Sequence, residues 1–243
     1  MKSKEEIELE LRSGNKENFP GYSAPLEYRL LRKTDGLLLA PVFRLNAKSI
    51  RTYLSEYQHS QHWWLKDTQA FVTACVNDDF PTMHYLFTIG GRPVALGSLH
   101  SFGDSHNEVQ IVLAVFGTNQ GKGIGTAVAQ TLKKIAFEVW GFQSVWWIVD
   151  ATNRSSIQVA QKIGCTWDST FTLEEKSGEK GSGLWSRFVI DRDPNLADGI
   201  LQGASIDYWS SVKTVGMLKA VISNQTNNRS QISKVNKQKG KTT

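Results

Sequence analysis

Apolar positions between residues 124 and 139 recur with helical spacing. Ile124, Ala127, Val128, Leu132, Ile135, Ala136 and Val139 share one face, and Gln130, Lys133, Lys134 and Glu138 lie mainly on the other. The same period predicts a helix over 47–57, where Ile50, Tyr53, Leu54 and Tyr57 repeat, and a second reaching Val76 from an N-cap at Asp67-Thr68. Other segments read as extended. Residues 26–33 and 37–45 are short apolar runs broken by the turn dipeptide Asp35-Gly36 and read as strands. Two runs flank Gly90-Gly91 as a hairpin, and "EVQIVLAVF" follows as another strand. "SVWWIVD" (144–150) is nearly all apolar, as expected of a strand covered on both faces. "NRSSIQVAQKIG" (153–164) carries helix caps at both ends, Asn153 and Gly164. Extended stretches over 166–174 and 184–191 enclose the polar turn "EKSGEKGSG". The order implies a mixed sheet with helices packed on it.

One feature of this pattern runs against helix propensity. "TNQGKGIGTAVAQTLKKIAFE" places Gly121, Gly123 and Gly125 at the mouth of the long helix, where each glycine costs about 1 kcal/mol relative to alanine. A helix start presents unpaired N–H groups and a positive dipole end. Glycines strip away the side chains that would hold a ligand off those groups, which makes an anion site, most often for phosphate. Lys122 adds a positive charge. The loop is not a nucleotide P-loop: Gly117 precedes Gly121-Lys122 one residue too closely, and Gly123 stands where a hydroxyl residue would meet magnesium. A dinucleotide fingerprint, approximated by residues 123–128 but ending in Val128, with Asp150 as the ribose acid, keeps a nucleotide-dependent oxidoreductase as an alternative.

Charge and composition narrow the setting. The chain has 243 residues and a formal charge of +5. Residues 222–243 hold Arg229, Lys234, Lys237, Lys239 and Lys241 and no acid, so residues 1–221 sum to zero. That tail is read as solvated and disordered, with at most a weak attraction to nucleic acid or another acidic partner. The two cysteines, Cys75 and Cys165, imply no disulfide framework. A charged N-terminus without an apolar stretch and the lack of a membrane-length run lead to the expectation of a cytoplasmic protein. The expected organisation is a charged leader (1–22), a main folded domain (23–191), an extension with Tyr208, Trp209, Val215 and Leu218 read as helical (192–221), and the basic tail (222–243).

A third glycine pattern, Q/R-x-x-G-x-G/A, fits at every position from Gln120 to Gly125. Downstream, Asn153-x-x-Ser156 and Lys162-Ile163-Gly164 complete a second segment. With these motifs the chain resembles the GNAT N-acetyltransferase superfamily, in particular the branch of ribosomal-protein alanine acetyltransferases. The resemblance in element order extends over residues 26–191. It implies an α+β fold with a central, mostly antiparallel twisted sheet, flanking helices and one splayed strand pair. It implies acetyl-CoA as co-substrate, no metal, and acetyl transfer to a primary amine, either a small amine or a protein N-terminus, by direct attack in a ternary complex.

By the same resemblance, the diphosphate of acetyl-CoA lies on the loop formed by Gln120, Gly121, Lys122, Gly123, Ile124, Gly125 and Thr126. The pantetheine arm pairs with the strand at Leu113, Ala114 and Val115, as an extended amide chain can, and Asn153 lies near it or serves as an N-cap. Ser156 takes the role of acid to the leaving thiol, or merely helps satisfy the helix start; the tyrosine that often does this work is replaced by Ala160. Gln110 stands where the branch often carries a glutamate base. Glu108, on the same strand face, is the substitute through a water or a solvated acid, with His100 a further candidate. His59 and His62 are read as ordinary polar residues. Tyr53, Tyr57, Trp63 and Trp64 are read as core or as walls of an acceptor slot. A non-catalytic CoA-binding or assembly protein on the same fold is the other reading.

Overall fold

A computed structural model describes residues 19–47, 65–77, 82–101, 107–172 and 183–195. The chain divides into two compact units, residues 1–212 and 213–243, and every described residue lies in the first. The expected helix over 47–57, His59, His62, the aromatics at 53–64, most of the polar turn near 175–183 and nearly all of the C-terminal extension lie outside the described residues.

The elements are β1 (Leu26–Leu30), α1 (Asp35–Leu45), α2 (Leu65–Val76), β2 (Thr82–Ile89), β3 (Arg92–Ser101), β4 (Glu108–Val115), α3 (Ile124–Lys134), β5 (Ser144–Asp150), α4 (Arg154–Lys162), β6 (Thr166–Thr172) and β7 (Leu184–Asp191). The strands form one sheet in the order β1-β2-β3-β4-β5-β7-β6. Every neighbouring pair is antiparallel except β4 with β5. The mixed α+β fold with a mostly antiparallel sheet is as expected.

Two apolar layers hold it together. On one face, Tyr85, Phe87, Leu99, Ile111, Trp147 and Phe188 pack with Val128 and Leu132 of α3 and Ala160 of α4. On the other, Leu86, Leu96 and Phe116 pack with Leu39 and Phe43 of α1 and Phe71 and Val72 of α2. Fully burying a side chain of this size contributes about 1.5–3 kcal/mol. Tight anchoring extends upstream of β1: Phe19 is buried in the first layer.

Two expectations are corrected. Residues 37–45 are not a strand but the body of α1. The four-residue spacing of Leu39 and Phe43, both fully buried, decides the form, because it puts both on the sheet-facing side of a helix. Asp35 fixes the helix start: it accepts two bonds from Arg29, at 2.7 and 2.6 Å, and one from the Arg32 amide. Gly36 belongs to this helix because α2 comes so close; a Cβ there would sit 3.1 Å from the Gln69 Cα. The second correction concerns α2, which is already helical at Leu65, so that Asp67 and Thr68 lie inside it and do not cap it. Thr68 is fully buried, where a cap residue would be exposed.

Beneath α2 two histidines meet. The His84 and His100 rings lie 5.9 Å apart, edge to face, and His100 Nδ1 is 3.1 Å from Thr82 Oγ1. Burial, and secondarily the neighbouring His100, lower the His84 pKa to about 3; burial lowers that of His100 to about 4. Both titrate near 6.5 when unfolded. The unfolded chain therefore binds more protons below that pH, and the contribution to stability is fully present above about pH 6.5 and is lost as pH falls toward 4. Thermal unfolding should shift to lower temperature between pH 7 and pH 5, with a slope approaching about 1.4 kcal/mol per pH unit for each imidazole. A His84→Leu variant should show a shallower drop. An identical drop would mean that His84 is not held neutral by the fold.

Candidate functional site

The sheet opens between β4 and β5. Their parallel pairing comprises only Glu108 with Ser144, Val109 with Val145 and Gln110 with Trp146. Beyond that point β4 stays paired to β3 through Val115, and β5 stays paired to β7 through Asp150. The two strands part like a fork. Backbone groups alternate in direction along an extended strand. Phe116 donates its amide to the Val94 carbonyl of β3. Ala114 accordingly points the same way, and the amide and carbonyl groups of Leu113 and Val115 face the fork. The Val115 carbonyl already has a donor, Gln120 Nε2 at 2.9 Å. Of the three residues expected to meet an extended ligand, Leu113 and Val115 are placed for it, and Ala114 is turned toward β3.

At the wide end of the fork lies the glycine loop. After a short 3-10 turn (Gly117–Asn119), Gly121 and Gly123 take φ of 74° and 85°, and Gly123 is the N-cap of α3. A side chain at either position would be strained, and a Cβ built there meets nothing within 4 Å. Left-handed backbone plus open space at both glycines shapes a bare peptide surface. Gly125 is different. It lies within α3, where a Cβ would make ordinary contacts with Val115 at 3.5 Å and Val159 at 3.7 Å, so neither space nor backbone conformation requires glycine there. The first amide of α3 with a backbone partner is that of Ala127, bonded to the Gly123 carbonyl at 3.1 Å. The amides of Ile124, Gly125 and Thr126 precede it, and no side chain caps them.

Lys122 is held beside this surface. Its Nζ sits 5.1 Å from the centre of the Tyr22 ring, a cation–π contact. The Tyr22 hydroxyl donates to Asn119 Oδ1, which ties the N-terminal segment to the loop. Sequence reasoning gave residues 19–22 no part in the site. An aromatic residue 97 positions from its partner carries no local signal of such a contact.

The α4 helix starts at the fork as well. Asn153 is its N-cap, its Oδ1 accepting from the Ser156 amide at 3.1 Å. Ser156 therefore serves the cap through its backbone. Its hydroxyl oxygen instead accepts from the indole Nε1 of Trp147 on β5, at 2.9 Å.

On the α1/α2 face of the sheet, Gln110 stands opposite His100 in the β3–β4 register. Glu108 is half-exposed, its Oε2 3.4 Å from Arg187 Nη2. Arg187 also lies 4.9 Å above the Trp146 ring, with Asp168 3.9 Å from its Nε. This pairing was not foreseen. Both cysteines are free and buried. Among the described residues no group of His, Cys, Asp and Glu side chains is arranged to hold a metal, and no helix is long and apolar enough to cross a membrane.

The arrangement offers an anion seat of bare amides at the wide end of the fork, an open strand edge for an extended amide chain, and a hydroxyl held by Trp147, the first β5 residue past the last β4–β5 pair. That donor set fits coenzyme A. No curated protein matches the chain in sequence. Several solved structures share its fold. One is RimL, a ribosomal L7/L12 alpha-N-protein acetyltransferase in complex with coenzyme A, with 16% identity and a TM-score of 0.60, covering 73% of this chain and 100% of that one. Another is Mycobacterium smegmatis RimJ in complex with CoA-disulfide, with 13% identity, a TM-score of 0.58 and coverage of 77% and 91%. A third is spermidine N-acetyltransferase from Vibrio cholerae in complex with CoA and spermine, with 14% identity, a TM-score of 0.55 and coverage of 68% and 95%. The family model described as "Acetyltransferase (GNAT) family" matches residues 40–165, from within α1 to the end of α4 and so across the whole fork and glycine loop. The chain belongs to the GNAT acetyltransferase family and is an N-acetyltransferase that uses acetyl-CoA.

Proposed function

We propose that the protein transfers the acetyl group of acetyl-CoA to the N-terminal amine of a protein, by direct attack within a ternary complex. The observation that carries the reading is the unpaired inner edge of β4, which leads straight to the bare amides of α3. The peptide N–H groups of Ile124, Gly125 and Thr126 bind the diphosphate, with Lys122 as the countercharge. The backbone of Leu113 and Val115 takes the pantetheine amides. The amine nitrogen attacks the thioester carbonyl carbon, the new C–N bond forms, and collapse of the tetrahedral adduct breaks the C–S bond. The amine's proton leaves through water to Glu108, two residues from Gln110 on the same face of β4. Ser156 donates a hydrogen bond to the departing sulfur.

The choice of a protein N-terminus is supported by the fold shared with RimL, an alpha-N-protein acetyltransferase, and by the Asn153-x-x-Ser156 segment. The spermidine enzyme supports a second acceptor class, polyamines. A panel of short peptides with free or blocked N-termini, set against spermidine and spermine and followed by thiol release, separates the two. Thiol release with free-amine peptides alone is the expected outcome. Turnover only with polyamines would overturn the acceptor assignment, and CoA binding without turnover on any amine would favour a non-catalytic role.

Gly123→Glu puts a carboxylate among the phosphate-binding amides and should weaken CoA binding by calorimetry by more than about tenfold, or 1.4 kcal/mol. A side chain at φ 85° is strained by about 1–2 kcal/mol, but the space at Gly123 is open, so circular dichroism should still show the fold. Unchanged affinity would remove the loop from the cofactor site. Ser156→Ala leaves the Asn153 cap intact, since the cap uses the Ser156 amide. It should lower kcat by about tenfold or more with little change in the KM for acetyl-CoA. An equal kcat would reduce Ser156 to a packing residue.

A further inference from the structure

Trp147 is the first residue of β5 beyond the last pair that joins it to β4. It sits at the crotch of the fork. Its ring is only 4% exposed and packs in the core layer shared with α3 and α4, beside its β7 register partner Phe188. Its indole N–H does not end in that core; it reaches Ser156 Oγ at 2.9 Å. An indole nitrogen donates and never accepts, whereas a hydroxyl has one proton and two lone pairs. The direction of this bond is therefore fixed: Ser156 accepts.

That direction has a consequence for the serine's own proton. With one lone pair bound to the indole, the O–H must point elsewhere. Among the described residues the Ser156 hydroxyl has no hydrogen bond besides the one it accepts from Trp147, and Asn153 Oδ1 accepts from the Ser156 amide. A serine released from such a tether can turn its side chain toward nearby backbone groups, where its proton would be lost to the reaction. The rigid, buried indole opposes that rotation. We propose that Trp147 is a positioning residue for acetyl transfer, holding Ser156 as an acceptor on one side so that its hydroxyl proton is presented to the departing sulfur on the other. This rests on the reading of Ser156 given above.

The step it serves is balanced without proton exchange at the serine. As the C–S bond breaks, the electron pair stays on sulfur. The thiolate receives a hydrogen bond from Ser156 and afterwards takes its proton from solvent. A hydroxyl is a much weaker acid than a thiol, so donation of a hydrogen bond, not surrender of the proton, is the stabilising act.

Trp147→Phe keeps the aromatic ring and removes the N–H. It should lower kcat by about threefold to tenfold, the worth of one hydrogen bond, while the CoA dissociation constant and the KM for acetyl-CoA stay within about twofold. In a Ser156→Ala background the same change should alter kcat by less than about twofold, because the group it positions is gone. If Trp147→Phe slows the enzyme equally in both backgrounds, Trp147 acts through packing and the proposal falls. If it leaves the wild-type rate unchanged, the proposal also falls. If Ser156→Ala is itself without effect, the reading of Ser156 fails and takes the proposal with it, a result that differs from the first two. Should Trp147→Phe fail to fold, benzothienylalanine at position 147 keeps the shape of the indole with sulfur in place of N–H, and the same cycle applies.

Discussion

The structure turns on an interruption of backbone pairing. Strands β4 and β5 exchange bonds over three register pairs and then separate, while each keeps its partner on the far side. A buried backbone group left without a partner costs about 1–3 kcal/mol, so an internal sheet edge needs something to satisfy it. Here the Val115 carbonyl is served by Gln120, one residue before the glycines. The remaining inward groups of Leu113 and Val115 are open to an extended amide chain. What would be a flaw in a purely structural sheet is, on the proposed function, the binding feature of this one.

The elements around the fork reinforce it. The α3 helix, anchored by Val128 and Leu132 in the core, brings its uncapped N-terminus to the wide end. At Gly125 the helix lies within contact distance of both Val115 and Val159. Lys133 reaches from α3 to the Ile163 carbonyl at 2.7 Å, which couples the helix that begins at the glycine loop to the one holding Ser156. The position of the anion seat relative to the hydroxyl is thus set by helix packing, not by a flexible loop.

Much of this was legible in the chain. The glycines announced themselves because they defy helix propensity, and at Gly121 and Gly123 the positive φ values supply the reason. Asn153 and Gly164 marked their helix because capping is local chemistry. Residues 37–45 misled because a short, nearly continuous apolar run contains both periods. Only the contacts of Leu39 and Phe43 with α2 and the sheet select the helix. Trp147 was legible as a buried strand residue but not as a donor to Ser156, since the bond joins a strand to a helix across a turn. Glu108 was legible as an acid, while its pairing with Arg187, 79 positions away, depends on the β4–β5–β7 order that no local pattern encodes.

The central claim is that the peptide nitrogens at the start of α3 grip the diphosphate of CoA. The most direct test follows backbone amide resonances of isotopically labelled protein during titration with CoA. The amides of Ile124, Gly125 and Thr126, with those of Gly121 to Gly123, should show the largest shifts, accompanied by Leu113 and Val115 at the strand edge. Saturable binding that left the Gly121–Thr126 amides unmoved and shifted another surface would contradict the account.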